Sequence, residues 1–116
     1  LKVTIVNQQH NTSARLLLGA DAQFASWAHI LTEHASQMRA DVLKLSHHGS
    51  GFGTYKDVLA AIRPRYTVIS VGPNNYGRPE DWVLALVEEA PSERVFRTDT
   101  DGTCVFESDG IEWRRV

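Results

Sequence analysis

The sequence lacks three features that would each point to a particular class of protein. Its single cysteine, Cys104, excludes an internal disulfide and leaves the redox compartment open. No apolar run approaches the roughly 18 residues of a membrane span, and no signal-peptide pattern is present. The formal net charge of −2 gives no electrostatic argument for binding nucleic acid, although a bound cation can supply positive charge locally. What remains is the composition of an ordinary globular protein of undetermined localisation.

The length and organisation of the chain predict one small domain. Its 116 residues contain no internal repeat, linker or low-complexity segment, so we treat 1–116 as a single domain. The chain begins directly in a strand-like run, LKVTIV, without an initiator methionine. We therefore expect it to be part of a longer protein.

Hydrophobic periodicity predicts an α/β fold with the element order β-β-α-β-α-β-α-β-β-β. The predicted helices cover about 24–38, 54–62 and 79–89, and three C-terminal strands joined at Asp-Gly pairs predict a meander. Alternating elements of this kind indicate a mixed sheet with helices packed against it. Trp27 and Trp82 fall on helical apolar stripes, which favours core positions over stacking platforms.

Polar side chains follow four of the predicted strands, where ligands bind in sheets of this kind. ARLLLGA is followed by Asp21, ADVLKL by SHHGS at 46–50, YTVISV by GPNNYGRP at 72–79, and RVFR by TDTD at 98–101. Carboxylate and imidazole groups both suit zinc or manganese. Asp21, His47 and His48 are therefore candidates for one divalent metal site.

Each candidate also has a purely structural interpretation. Asp21 precedes a predicted helix and is a candidate N-cap. His47 and His48 are adjacent at a strand end, where their side chains would point to opposite faces. Asp99 and Asp101 are typical turn residues. The residues by themselves indicate half of a metal site and no particular reaction.

Four motifs in order resemble a known family. LLLGADAQ, ADVLKLSHHGS, PRYTVISVGPNNYGRP and VFRTDTDG, from about Leu16 to Gly102, resemble the metallo-β-lactamase-like domain of the ComEC competence (DNA internalisation) proteins and their stand-alone relatives. The resemblance implies an αββα fold of two similar halves, with two divalent metal ions between the sandwiched sheets. This chain resembles the second half, a mixed sheet with helices on one face. The family's first-half HxHxDH motif is absent, since no two histidines here are separated by a single residue.

The resemblance assigns metal-site roles to three residues. Asp21 stands where the family places the carboxylate that bridges the two metals, zinc or manganese. His48, followed directly by Gly-Ser, stands at the last histidine ligand. His47 belongs to the same motif, either as a ligand or as its neighbour. Asp21 and His48 are thus the expected catalytic residues of the complete domain.

The resemblance places Ser50, Asn75, Tyr76 and Arg78 on the substrate side. Arg78 stands where the family usually has histidine. An arginine can hold a phosphate as a permanent bidentate donor. It cannot donate a proton at neutral pH, because its pKa is too high.

The function implied for the complete protein is metal-dependent hydrolysis, with the phosphodiesters of DNA as the first choice of substrate. Small esters or thioesters are another option, since this fold does not fix its substrate. The alternative is a non-catalytic module for DNA uptake or assembly. Arg78 favours this alternative, and so does Gly19-Ala20, which replaces the family's usual Thr-Gly before the aspartate. The intact Asp21 and the SHHGS motif at 46–50 oppose it. Gln23, where the family usually has Glu, is a further departure.

The half-domain interpretation also predicts the behaviour of this chain alone. We expect it to be catalytically inactive, without a complete metal site, and to need the missing N-terminal half as a partner. DNA is a further expected partner. An exposed half-domain surface would also favour homo-oligomers.

Overall fold

Five strands form one mixed sheet in the computed structural model, which describes residues 1–90 and 92–116. The strands are β1 (Lys2–Asn7), β2 (Thr12–Leu18), β3 (Val42–Lys44), β4 (Tyr66–Ile69) and β5 (Arg94–Arg97), and they lie side by side in that order. β1 pairs antiparallel with β2, whereas β2, β3, β4 and β5 are parallel. The predicted mixed sheet is confirmed.

Four α-helices lie within the described ranges: α1 (Phe24–His34), α2 (Lys56–Ile62), α3 (Asp81–Glu89) and α4 (Thr98–Asp101). The first three occur where the periodicity predicts them, each between two parallel strands. None of the helices in the described part of the chain has the length and apolar character that crossing a membrane requires.

The C-terminal strands differ from the predicted meander. β6 (Phe106–Ser108) and β7 (Trp113–Arg115) pair antiparallel as a separate two-stranded sheet, while β5 pairs with β4. The cause is α4, a single helical turn that leads the chain away from the edge of the sheet. Asp101 caps the turn by accepting the backbone N–H of Arg97 at 2.7 Å, and Asp99 forms a two-pronged ion pair with the Arg97 guanidinium. Both aspartates therefore belong to a helical turn.

The core between the sheet and helices α1, α2 and α3 is the larger of two. Side chains alternate along the strands, so Leu43 and Ile69 face the helices. Trp27 is 3% exposed and joins this core, as predicted. The core prediction for Trp82 is wrong, because its side chain is 47% exposed. The neighbouring Val83 faces the core instead, and adjacent residues of a helix point about 100° apart.

The opposite face of the sheet packs against the β6–β7 hairpin. Ala14, Val42 and Trp113 are buried there, and no helix residue joins this cluster in the described part of the chain. The hairpin covers the face only in part. A groove of about 390 Å³ remains, and half-buried apolar side chains line it, among them Leu16 and Val68.

Candidate functional site

Three loops converge at the carboxyl ends of β2, β3 and β4, because parallel strands end at the same edge of a sheet. We call them the Asp21 loop (19–23), the His48 loop (45–53) and the Tyr76 loop (70–80). The first two are joined by backbone and side-chain contacts. The N–H of His47 donates to the carbonyl of Ala20 at 2.8 Å, and the Gln23 amide lies 3.1 Å from His47 Nδ1.

The His48 loop has a left-handed backbone. β3 ends at Lys44, and the φ angles of His47, His48 and Gly49 are 50°, 57° and 80°. The N–H of Ser50 donates to the carbonyl of His47 at 3.0 Å and closes this turn. The two histidines therefore do not sit in a strand, and the strand argument about opposite faces does not apply to them.

The two imidazoles contact different neighbours. His48 Nδ1 lies 2.6 Å from the carbonyl oxygen of Ser70, at the end of β4. Since a carbonyl can only accept, this contact places a proton on Nδ1, and in the neutral ring Nε2 then keeps its lone pair. Metal-binding histidines usually have this arrangement, with the second ring nitrogen held by a carbonyl or carboxylate. His47 instead faces Gln23 of the Asp21 loop.

Backbone strain is concentrated at this junction. In the described residues, five side-chain-bearing residues have positive φ: Asn11, Ala20, Arg63, His47 and His48. Asn11 sits in the β1–β2 turn, where asparagine tolerates this conformation, and Arg63 is the C-cap of α2. The other three meet where the Asp21 loop touches the His48 loop. Left-handed residues other than glycine cost about 1–3 kcal/mol each and cluster at functional sites.

Asp21 is exposed at the end of β2. The N-cap interpretation is wrong, because the N-cap position of α1 is Gln23. The Asp21 carboxylate and His48 Nε2 have the donor chemistry of a divalent metal site. No group of three or more potential ligands is assembled in the ranges that the structure describes. Asp21 and His48 therefore stay candidate ligands by their donor chemistry alone, and their binding of a metal stays a prediction.

The Tyr76 loop is organised by Asn74. Its side-chain oxygen accepts the N–H groups of Tyr76 and Arg78, both at 3.0 Å. Its amide nitrogen donates to the carbonyls of Gly72 and Arg78, at 3.0 and 2.7 Å. One asparagine thus holds both ends of the segment that carries the predicted substrate residues.

The predicted substrate residues occupy different environments. Tyr76 is exposed, and the Arg78 guanidinium lies 5.2 Å from the centre of its ring. Both line an open depression of about 510 Å³ that His48 also borders. Asn75 is exposed on the same loop, whereas Ser50 is buried and its hydroxyl accepts the N–H of Phe52 at 3.4 Å. Substrate contact by these residues stays a prediction.

Glu80 joins the Tyr76 loop to the His48 loop, a role that the sequence did not suggest. Its carboxylate accepts the N–H of Gly51 at 2.7 Å, and its own N–H donates to the carbonyl of Gly49 at 3.0 Å. A Cβ on Gly49 would lie 2.5 Å from Pro79 Cβ, and one on Gly51 would lie 2.6 Å from a Glu80 oxygen. Gly49 is therefore needed for close packing of the loops, whereas a side chain at Gly51 would displace the Glu80 carboxylate from its hydrogen bond.

The fold and site are those of a mixed α/β protein in which three loops contact one another at the carboxyl edge of the sheet. Over 70 residues, 60% of this chain, the sequence is 43% identical to ComE operon protein 3 of Bacillus subtilis (strain 168). The matched stretch is 9% of the length of that curated relative. No protein-family profile matches the chain, and neither does any solved structure.

Proposed function

We propose that this chain is the second half of a metallo-β-lactamase-like domain that hydrolyses DNA phosphodiesters during DNA internalisation. The four-motif resemblance and the 43% identity to ComE operon protein 3 support the link to DNA uptake. The mixed sheet, with α1, α2 and α3 on one face, is compatible with one half of such a fold.

One observation carries the proposal of an active site: three left-handed residues, Ala20, His47 and His48, meet at the carboxyl edge of the sheet. Strain of this kind persists only when the surrounding structure holds it. The contacts to Ser70, Gln23 and Glu80 provide that support.

The residues have separate roles in the proposed reaction. Asp21 and His48 Nε2 are metal ligands, and Arg78 holds a non-bridging phosphate oxygen through its fixed donors. When bound, two divalent ions would supply a water of lowered pKa and positive charge opposite the phosphate. The Ser70 carbonyl holds the His48 ring, and Gln23 holds His47 beside it.

The remaining ligands are proposed to come from the missing N-terminal half of the domain. The partly covered sheet face, with its groove of about 390 Å³, is the surface on which that half would pack. When that half is absent, the same face favours association between copies. The 116 residues alone are accordingly proposed to be inactive.

The direct test is an activity screen of the full-length protein with zinc or manganese. Single-stranded DNA, duplex DNA, a generic phosphodiester and generic esters are offered in parallel. We expect metal-dependent cleavage of DNA that Asp21→Ala and His48→Ala abolish and that His29→Ala, an exposed histidine on α1, leaves unchanged. Ester cleavage without DNA cleavage would contradict the choice of substrate.

The second candidate is a non-catalytic module for DNA uptake or assembly. Arg78 favours it, because no proton donor stands at that position, and so does Ala20, which is strained where the family usually has glycine. A full-length protein that supports DNA uptake equally well with His48→Ala would establish this candidate over the hydrolase.

A further inference from the structure

The exposed aromatic side chains are distributed very unevenly over the molecule. In the part of the chain that the structure describes, four are exposed: Phe24 by 40%, Phe52 by 64%, Tyr76 by 77% and Trp82 by 47%. The other aromatic residues are buried or half-buried. All four exposed rings lie in or directly after the loops that follow β2, β3 and β4, at the edge of the sheet that carries His48.

Two of these rings form a supported pair beside the candidate metal ligands. Phe24 directly follows Gln23, the residue that contacts His47, and its ring centre lies 5.9 Å from that of Phe52 in an edge-to-face arrangement. Phe24 also packs edge-on against Tyr55 at 5.4 Å. The Trp27 indole donates to the carbonyl of Gly53 at 2.8 Å, which ties the loop of Phe52 to helix α1. The pair is therefore held on a rigid base.

The other two rings belong to the Tyr76 loop and to the start of α3. Tyr76 has the Arg78 guanidinium against its ring, and the Trp82 indole donates to Glu80 at 3.1 Å. Each ring is oriented by a neighbour while much of its surface is open to solvent. Each of the three loops thus carries or leads into at least one exposed aromatic ring, and Tyr76 lines the same depression as His48.

We infer that Phe24, Phe52 and Tyr76 form a stacking surface for the unpaired bases of single-stranded DNA. This inference rests on the proposed action on DNA and specifies the form of the substrate. Stacking on aromatic side chains is available to every base and tolerates any sequence. In a duplex the base faces are covered by their neighbours. Arg78, whose guanidinium lies 5.2 Å from the centre of the Tyr76 ring, places a positive charge beside this surface for the phosphate backbone.

The test is DNA binding by the full-length protein in EDTA, where no hydrolysis can occur. A fluorescently labelled oligothymidylate and a labelled duplex are titrated and their anisotropy is followed. We expect tighter binding of the single strand, weakened about fivefold or more by Phe52→Ala and retained by Phe52→Trp. Ile111→Ala, an exposed apolar residue of the β6–β7 turn, is the matched control and is expected to bind like wild type.

Three outcomes would overturn the inference. They are undetectable binding of the oligothymidylate, equal binding of single strand and duplex, and equal binding by Phe52→Ala and Ile111→Ala. The last result would assign the phenylalanine pair to contact with another part of the protein. Failure of the proposed hydrolysis is a separate result, because it would appear as intact single-strand binding without cleavage when metal is added.

Discussion

The carboxylate of Glu80 accepts a hydrogen bond from the backbone N–H of Gly51 at 2.7 Å. This contact joins the loop that carries His48 to the loop that carries Arg78. Glu80 is the N-cap residue of α3, yet its side chain makes no capping bond to that helix. The Glu80 carboxylate instead fixes the His48 loop against the Tyr76 loop.

Replacing Glu80 should therefore destabilise the site more than its position at a helix start suggests. Glu80→Ala leaves the Gly51 N–H without its charged acceptor, and we expect a loss of about 1–2 kcal/mol in the free energy of unfolding. Asp81→Ala, one residue on and exposed, is the control, and should lose less than about 1 kcal/mol through the helix dipole alone. Urea unfolding measures both, and equal losses would contradict the role of the Gly51 contact.

Ala20 offers a substitution that should stabilise the protein. Its φ of 48° is unfavourable for alanine, so we expect Ala20→Gly to raise the free energy of unfolding. The expected gain is about 0.5–1 kcal/mol. It is the energy of the left-handed alanine that is relieved, reduced by the greater conformational entropy that glycine gives to the unfolded chain. The same change at Ala28, an exposed position inside α1, should lower it by about 1 kcal/mol. Thermal unfolding compares the two, and a loss of stability in Ala20→Gly would contradict the strained backbone.

Asn74 should control the order of the Tyr76 loop. Asn74→Ala removes the acceptor of the Tyr76 and Arg78 N–H groups, and we expect both amides to exchange faster with solvent. Asn75→Ala is the matched control, because its exposed neighbouring side chain should leave both exchange rates unchanged. Amide exchange followed by NMR tests this, and unchanged protection in Asn74→Ala would count against the asparagine as organiser of the loop.

The ion pair of Asp99 with Arg97 predicts a dependence of stability on acid pH. The hydrogen bond from Arg97 lowers the pKa of the Asp99 carboxyl below its unfolded value. Its stabilisation is therefore complete above the unfolded pKa and is lost as pH falls through the folded pKa. Asp99→Asn should cost less than about 1 kcal/mol at neutral pH, since the pair is partly exposed, and almost nothing in strong acid. A penalty that grows towards low pH in unfolding titrations would contradict this sign.

The sequence predicted the sheet and its three main helices because their apolar periodicities are regular. The prediction was wrong for Trp82, because a shift of one residue on a helix moves a side chain from the core to the solvent. It was also wrong for the C-terminal meander, because the short turn α4 leads the chain away from the sheet. From the sequence, the candidate site residues could be placed only at the ends of separate strands. The left-handed turn at His47 and His48 was not foreseen, because those residues seldom adopt that backbone. The Ser70 contact was missed because a backbone carbonyl leaves no signature in sequence, and the Glu80–Gly51 contact because it spans 29 positions.

Metal content of the full-length protein tests the central claim most directly. The protein is loaded with zinc or manganese, desalted and analysed for bound metal, alongside Asp21→Ala, His48→Ala and His29→Ala. The proposed role of Asp21 and His48 as ligands predicts bound metal in wild type and His29→Ala, and a clear loss of it in the other two variants. A wild-type protein that binds no metal, or one whose metal content is unchanged by Asp21→Ala and His48→Ala, would contradict the account.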